Sequence, residues 1–211
     1  MAFLDVTRAA YDTVAADYAA HFHNETDSVP VERAMVTAFA DFVRAGGGGP
    51  IADIGCGAGI WTAYLHGSGI DVFGVDLSPG MLAQARAFFP ALRFTLGSMT
   101  ALAIADGSLA GVLAMYSVIH VPDAALPGVL AEFHRVLAPG GQLLLAFQDL
   151  DEHLLRTEAF GHAIALDYYF RPPERMAEFL AAAGFDVHTR VRRKAHETER
   201  TPRALLLACR L

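Results

Sequence analysis

The sequence predicts an α/β fold, a mostly parallel sheet with helices on both faces. Three observations carry this expectation. Short apolar runs alternate with helix-periodic segments along most of the 211 residues, an order that requires crossovers between parallel strands. One run, Ile51-Ala52-Asp53-Ile54, passes directly into Gly55-Cys56-Gly57-Ala58-Gly59-Ile60, which reads as strand, glycine turn and helix start. The last two strand runs have no helical segment between them, which predicts an antiparallel hairpin at the sheet edge.

Residues 7–20 and 31–45 carry helical periodicity, with Tyr11, Val14 and Tyr18 on one face. Gly46-Gly47-Gly48-Gly49-Pro50 breaks the chain after this N-terminal helical cap, residues 1–45. Strands are expected near 51–54, 72–75, 93–96, 111–116, 142–148, 185–191 and 204–210, and helices near 60–67, 79–88, 124–137 and 173–183. Residues 149–172 do not fit the alternation. They follow the fifth strand, at the carboxyl edge where open α/β sheets bind ligands, and contain His153, His162, Tyr168, Tyr169, Phe170 and Arg171. A long insertion there reads as a lid or substrate wall of one domain spanning 1–211.

Composition excludes several classes. With 54% hydrophobic and 18% charged residues the chain is globular, and no apolar run approaches membrane-spanning length. Asp5 and Arg8 fall where an export signal would need an apolar stretch, and Cys56 and Cys209 are too few for a disulfide scaffold. A cytoplasmic protein is expected. A net charge of −7 argues against nucleic acid as the main partner.

The glycine loop holds the chemistry. Gly55, Gly57 and Gly59 let a ligand approach the main chain, and a helix starting near Ile60 turns its free N–H groups toward the same ligand. Asp53 adds a carboxylate, which suits a cationic, amino-acid-bearing nucleotide better than a pyrophosphate. Asp76 closes the next strand 17 residues after Gly59, where an acid can hold ribose hydroxyls.

Together with Val75-Asp76-Leu77-Ser78 and His134-Arg135-Val136-Leu137-Ala138-Pro139-Gly140-Gly141, these residues resemble the class I methyltransferases dependent on S-adenosylmethionine, over roughly residues 7–148. The segment Tyr11-Asp12-Thr13-Val14-Ala15-Ala16-Asp17-Tyr18 resembles compact bacterial members that act on small molecules. The resemblance implies a Rossmann-like, seven-stranded sheet with a reversed last strand, and S-adenosylmethionine as cofactor. It also implies roles. The methionine moiety would lie on Gly55, Gly57 and Gly59, with Cys56 a small filler of the same loop. Asp53 would approach the ammonium, Asp76 would accept from the ribose and Leu77 would cover adenine. Where the family often has an adenine-binding acid, this chain has Gly97-Ser98-Met99; Ser98 can accept without charge and Met99 can pack on the ring. Tyr116 and Ser117 fall where the family places the reacting atoms.

Methyl transfer from a sulfonium needs an aligned nucleophile and, for a protonated one, a base. Among His120, His162, His21 and His23, the favoured bases are His120 and His162, on segments expected to reach the carboxyl edge. Tyr11 and Tyr18 are placed to close over the cofactor or to pack as core. Catechol-type enzymes need an acid after the fourth strand, where Tyr116-Ser117 stand, so no metal is expected. The Asn/Asp-Pro-Pro-aromatic motif, the two-lysine ribose-methylating set and the paired glutamates of arginine methylation are also missing. A small, partly apolar acceptor methylated on O or N remains, for a monomer or homodimer. Three alternatives stay open: a nicotinamide reductase, disfavoured by Ile60 at the third glycine position; a cofactor-binding fold turned to another reaction or to ligand binding; and a non-enzymatic subunit of a larger methyltransferase.

Overall fold

A computed structural model describes residues 2–196 and 199–211. Seven strands form one sheet in the order β3-β2-β1-β4-β5-β9-β8. These are β1 Ile51–Ile54, β2 Val72–Asp76, β3 Arg93–Leu96, β4 Leu109–Met115, β5 Leu137–Gln148, β8 Phe185–Arg193 and β9 Arg203–Arg210. The first five pair in parallel, whereas β9 runs antiparallel to both β5 and β8. The strand order reverses between β1 and β4, which opens a crevice at their carboxyl ends.

Period-two alternation splits the core into two layers. Ile51, Leu113, Leu144, Leu205 and Leu207 face α3 (Pro30–Ala45) and α4 (Ile60–Gly67), meeting Phe39, Trp61 and Leu65. Ala52, Val112, Leu143, Leu145 and Leu206 face α6 (Leu126–Val136) and α7 (Pro173–Ala182), meeting Phe133 and Leu180. Both layers are built from buried apolar side chains, so the central strands are apolar on both sides, as buried parallel strands must be. α5 (Pro79–Phe88) covers β2 and β3 through Leu82, Ala85 and Phe94.

The two N-terminal helical segments do different work. α3 is a core helix, with Val36 and Phe39 fully buried. α1 (Ala2–Phe22), followed by the short α2 (Glu25–Ser28), packs Ala15 and Ala19 on Ala58 and Met81. Asp12 fastens α1: its Oδ1 accepts from Ser78 Oγ (2.5 Å) and from the Gly80 amide (2.9 Å) at the start of α5. Ser78 Oγ in turn accepts from the Met81 amide (3.0 Å) as the helix N-cap.

Residues 149–172, expected as a lid or substrate insertion, hold a β-hairpin of β6 (Glu152–Ala159) and β7 (His162–Phe170). Its two-residue tip, Phe160-Gly161, has φ of 52° and 78°, and lacks the Asn-Gly or Asp-Gly signature of such turns. Contacts of Phe160 with Tyr18 and His21 hold the tip on α1. Arg171, 2% exposed, locks the base: its guanidinium donates to Asp123, to the Tyr169 carbonyl and to the Val121 carbonyl. Among the described residues no helix is long and apolar enough to cross a membrane.

Asp12→Ala is expected to cost about 1 kcal/mol and to speed amide exchange along α1 while β1, β4 and β5 stay protected. Uniform loss of protection would show that Asp12 supports the whole fold rather than one helix.

Candidate active site

A cleft lies at the carboxyl ends of β1, β2 and β4, with α1 along one wall. Gly55, Gly57, Asp76 and Leu77 line it, as do Ser98, Met99 and Tyr116. Ser117 and His120 contribute from the turn after β4, and Tyr11 and Tyr18 from α1.

The loop is built around Asp76. Its Oδ2 accepts from the Gly57 amide (2.8 Å) and its Oδ1 from the Ser78 amide (2.8 Å). Burial pushes its pKa up, and the two backbone donors act against that rise. Each oxygen keeps a lone pair, so a pair of vicinal hydroxyls would find a charged acceptor here. Gly55 has φ 75°, and a Cβ there would stand 2.3 Å from Ser117 Cβ. Only glycine lets the loop settle on the turn after β4. Ser117 Oγ fixes that seat by donating to the Ile54 carbonyl (2.8 Å). Acceptor carboxylate, open backbone, and flanking Leu77 and Met99 fit a nucleoside bearing a ribose and an apolar-faced base. Ser98 lines the cleft, with its Oγ engaged by Thr100 Oγ1 (2.8 Å).

Three loop residues stand behind the wall. Asp53 is 1% exposed, and its Oδ2 accepts from Thr62 Oγ1 (2.6 Å) on α4. Burial lifts this carboxyl to about 7. It therefore faces α4 rather than the cleft. Cys56 packs with Leu82 and Phe94, where burial raises its thiol pKa and suppresses the thiolate. Gly59 has φ 80°, and a Cβ there would stand 2.7 Å from Phe94, so its role is to let α4 start against β3 and α5.

Tyr116 has φ 54°, a left-handed conformation costly for a bulky residue. Three contacts hold it. Its amide donates to the Ala146 carbonyl (2.9 Å), its hydroxyl donates to Glu32 Oε1 (2.7 Å), and Arg203 lies over its ring. Glu32 is fully buried and also accepts from Arg193 Nε (2.8 Å), while Arg193 pairs with Glu199. Glu32 Oε2 has no hydrogen-bond partner among the described residues. The Tyr116 hydroxyl is therefore a structural donor, and what this residue presents to chemistry is the strained turn.

His120 is the polar centre of the cleft. It is 6% exposed, and burial lowers its pKa to about 4, so the ring is neutral at pH 7. Its Nδ1 meets the Asp167 carbonyl at 2.8 Å. A carbonyl only accepts, so Nδ1 carries the proton. Nε2 then accepts from the Tyr11 hydroxyl, 2.8 Å away. The chain Tyr11 O–H, His120, Asp167 C=O thus joins α1, the turn after β4 and β7. Burial also raises the Tyr11 hydroxyl well above its usual pKa, holding it neutral.

His162, the other favoured base, sits on the exposed hairpin end with Nε2 2.9 Å from Asp17 Oδ2 and does not line the cleft. His21 and His23 make aromatic contacts with Phe160 and Phe88, away from the wall. Sequence reading did not find Glu32, Arg193, Thr62 or the Asp12 latch. Only Asp12 had a signal, as one of the two acids between the paired tyrosines; the others depend on partners far along the chain.

Residues 51–141 match a family described as a methyltransferase domain. A demethylmenaquinone methyltransferase of Beutenbergia cavernae is 34% identical over 136 residues, 64% of this chain and 55% of the relative. The chain spans about half the length of the curated relatives it matches. Among solved structures, the DhpI–SAH complex superposes with a TM-score of 0.74 at 22% identity, over 99% of this chain and 96% of that one. The [4+2]-cyclase SpnF superposes with a TM-score of 0.64 at 18% identity, over 84% of this chain and 81% of that one. Likeness at these identities establishes the fold alone.

The buried Asp53 carboxyl gives stability a pH dependence. Its folded pKa of about 7 lies above the unfolded value, so the folded state binds the extra proton between roughly pH 4 and pH 7. Stability should fall as pH rises through that window, by up to about 1.4 kcal/mol per unit from this group. Asp53→Asn, which keeps an acceptor for Thr62, is expected to flatten that slope in urea unfolding from pH 5 to pH 7. Parallel curves for the two proteins would acquit Asp53.

Proposed function

We propose that this chain is a class I S-adenosylmethionine-dependent methyltransferase that transfers the sulfonium methyl to an oxygen or nitrogen of a small, partly apolar acceptor. The observation that carries the reading is the Tyr11–His120–Asp167 chain, which opens on the same cleft as Asp76 and the glycine loop.

When bound, S-adenosylmethionine supplies an already activated methyl group, so the protein's share is to align a nucleophile, exclude water and take up a proton. Asp76 would hold the ribose hydroxyls, the amides of the glycine loop would lie along the methionine end, and Leu77 and Met99 would face adenine. Tyr11 and Tyr18 on α1 shield the cleft from solvent. The nucleophile's proton would pass to the Tyr11 oxygen as the Tyr11 proton passes to His120 Nε2, leaving Tyr11 neutral and His120 an imidazolium. The Asp167 carbonyl retains the Nδ1 proton and keeps the ring aimed throughout. Forming that cation in a buried site costs roughly 4 kcal/mol at pH 7 for a group titrating near 4. The dyad is thus a mild base, suited to an acceptor that gives up its proton only as the new bond forms.

The family's menaquinone-type relatives support an apolar acceptor body, and the net charge of −7 supports a small molecule over nucleic acid. Cytoplasmic location, with a monomer or homodimer as the working form, belongs to the same proposal. The likeness to a [4+2]-cyclase favours a second reading, in which the cofactor binds and no methyl is transferred.

Titration with S-adenosylmethionine and S-adenosylhomocysteine is expected to show binding of both, tighter for the latter, and Asp76→Ala is expected to weaken both by at least tenfold. Absence of binding in the unaltered protein would end the methyltransferase reading. Binding without label transfer to any phenol, amine or acid would favour the second reading.

His120→Ala and Tyr11→Phe are expected to lower turnover by about 10²-fold with cofactor affinity unchanged. Because His120 acts in its neutral form, turnover should stay level from pH 8 to pH 5 and fall only as the ring protonates near 4. A limb centred near pH 6.5 would point to a different base.

A further inference from the structure

The hairpin holds a cation beside the active-site aromatic cluster, outside the residues that line the cleft. Arg156 on β6 lies with its guanidinium carbon 5.4 Å from the centroid of the Tyr168 ring on β7. Tyr168 meets the His120 ring edge-on, with centroids 4.7 Å apart, and His120 bonds Tyr11. Arg156 is therefore one aromatic ring removed from the proton-accepting dyad. Its charge acts on the hydroxyls of both Tyr11 and Tyr168, opposing the burial that raises them.

Arg156 forms no ion pair among the described residues. Asp167 on β7 takes His153 at 2.8 Å and Asp17 on α1 takes His162 at 2.9 Å, while Glu152 and Glu158 on β6 form no ion pair among the described residues. Arg192 and Arg193 of β8 are both matched to carboxylates. A guanidinium held over a ring face keeps its planar fork of donors free, and that fork matches the two oxygens of a carboxylate.

Resting on the methyl-transfer reading, we infer that the acceptor carries a carboxylate, gripped by Arg156 over the face of Tyr168, while its nucleophilic atom reaches Tyr11. The acceptor body would cross Tyr168, which accounts for an aromatic wall between a cation and a base. Such an anchor also selects: a neutral acceptor of the same shape leaves Arg156 unmatched. An acid at that point would further stabilise the imidazolium that forms on His120 during proton uptake.

The test uses the full chain saturated with S-adenosylhomocysteine, titrated calorimetrically with matched pairs of aromatic acids and their methyl esters, beginning with 4-hydroxybenzoate and methyl 4-hydroxybenzoate. Acids are expected to bind on the order of tenfold tighter than their esters. Arg156→Gln should erase that preference and Arg156→Lys should keep part of it, with affinity for S-adenosylhomocysteine unchanged in both. Equal binding of acid and ester, or a preference that survives Arg156→Gln, overturns the inference. Loss of S-adenosylhomocysteine binding in the unaltered protein would instead overturn the methyl-transfer reading on which it rests.

Discussion

Asp76 is the joint on which the rest of the site depends. One oxygen accepts from the Gly57 amide and the other from the Ser78 amide, so a single carboxylate joins the turn after β1 to the turn after β2. Ser78 extends the joint, capping α5 and bonding Asp12 of α1. A charged acceptor with two backbone donors is a stronger constraint than a neutral one. The same carboxylate that shapes the loop is therefore the acceptor best placed in the cleft for a pair of hydroxyls. Loop geometry and ligand affinity cannot be altered separately at this residue.

A second constraint acts across the cleft. Tyr116 holds a left-handed turn at the end of β4, braced by Glu32 and Arg203. That turn places Ser117 under Gly55 and starts the short 3₁₀ helix, Val118–His120, that ends on His120. A buried carboxylate paired with Arg193 is a costly way to hold a tyrosine hydroxyl, since removing either partner would strand a charge. Its consequence is rigidity: the backbone that aims His120 has few alternative positions. The hairpin completes the arrangement, because the Asp167 carbonyl fixes the His120 tautomer from β7.

The division of labour among the histidines follows from burial. His120 is enclosed and neutral, with both ring nitrogens assigned to partners. His162 and His153 are exposed and serve as clips to Asp17 and Asp167. In sequence both favoured histidines looked equivalent, each expected at the carboxyl edge. Their environments separate them: a hairpin strand carries His162 outward over α1, while a 3₁₀ turn carries His120 inward.

By itself the sequence determined the layered α/β fold, the reversed last strand and the position of the cleft. These rest on local signals: period-two apolar strands, a glycine turn between strand and helix, and an acid closing the second strand. Gly55 and Asp76 were expected at the carboxyl edge for that reason, and both line the cleft. Tertiary structure alone decided that Asp53 faces Thr62, that residues 152–170 pair as a hairpin, and that Tyr11 bonds a histidine 109 residues away. It also decided the matching of Glu32 to Arg193 across 161 residues. Spacing in a chain reports which face of an element a side chain occupies; it carries no information on which distant donor will meet it once two elements are packed. The chemistry of this site sits in those meetings.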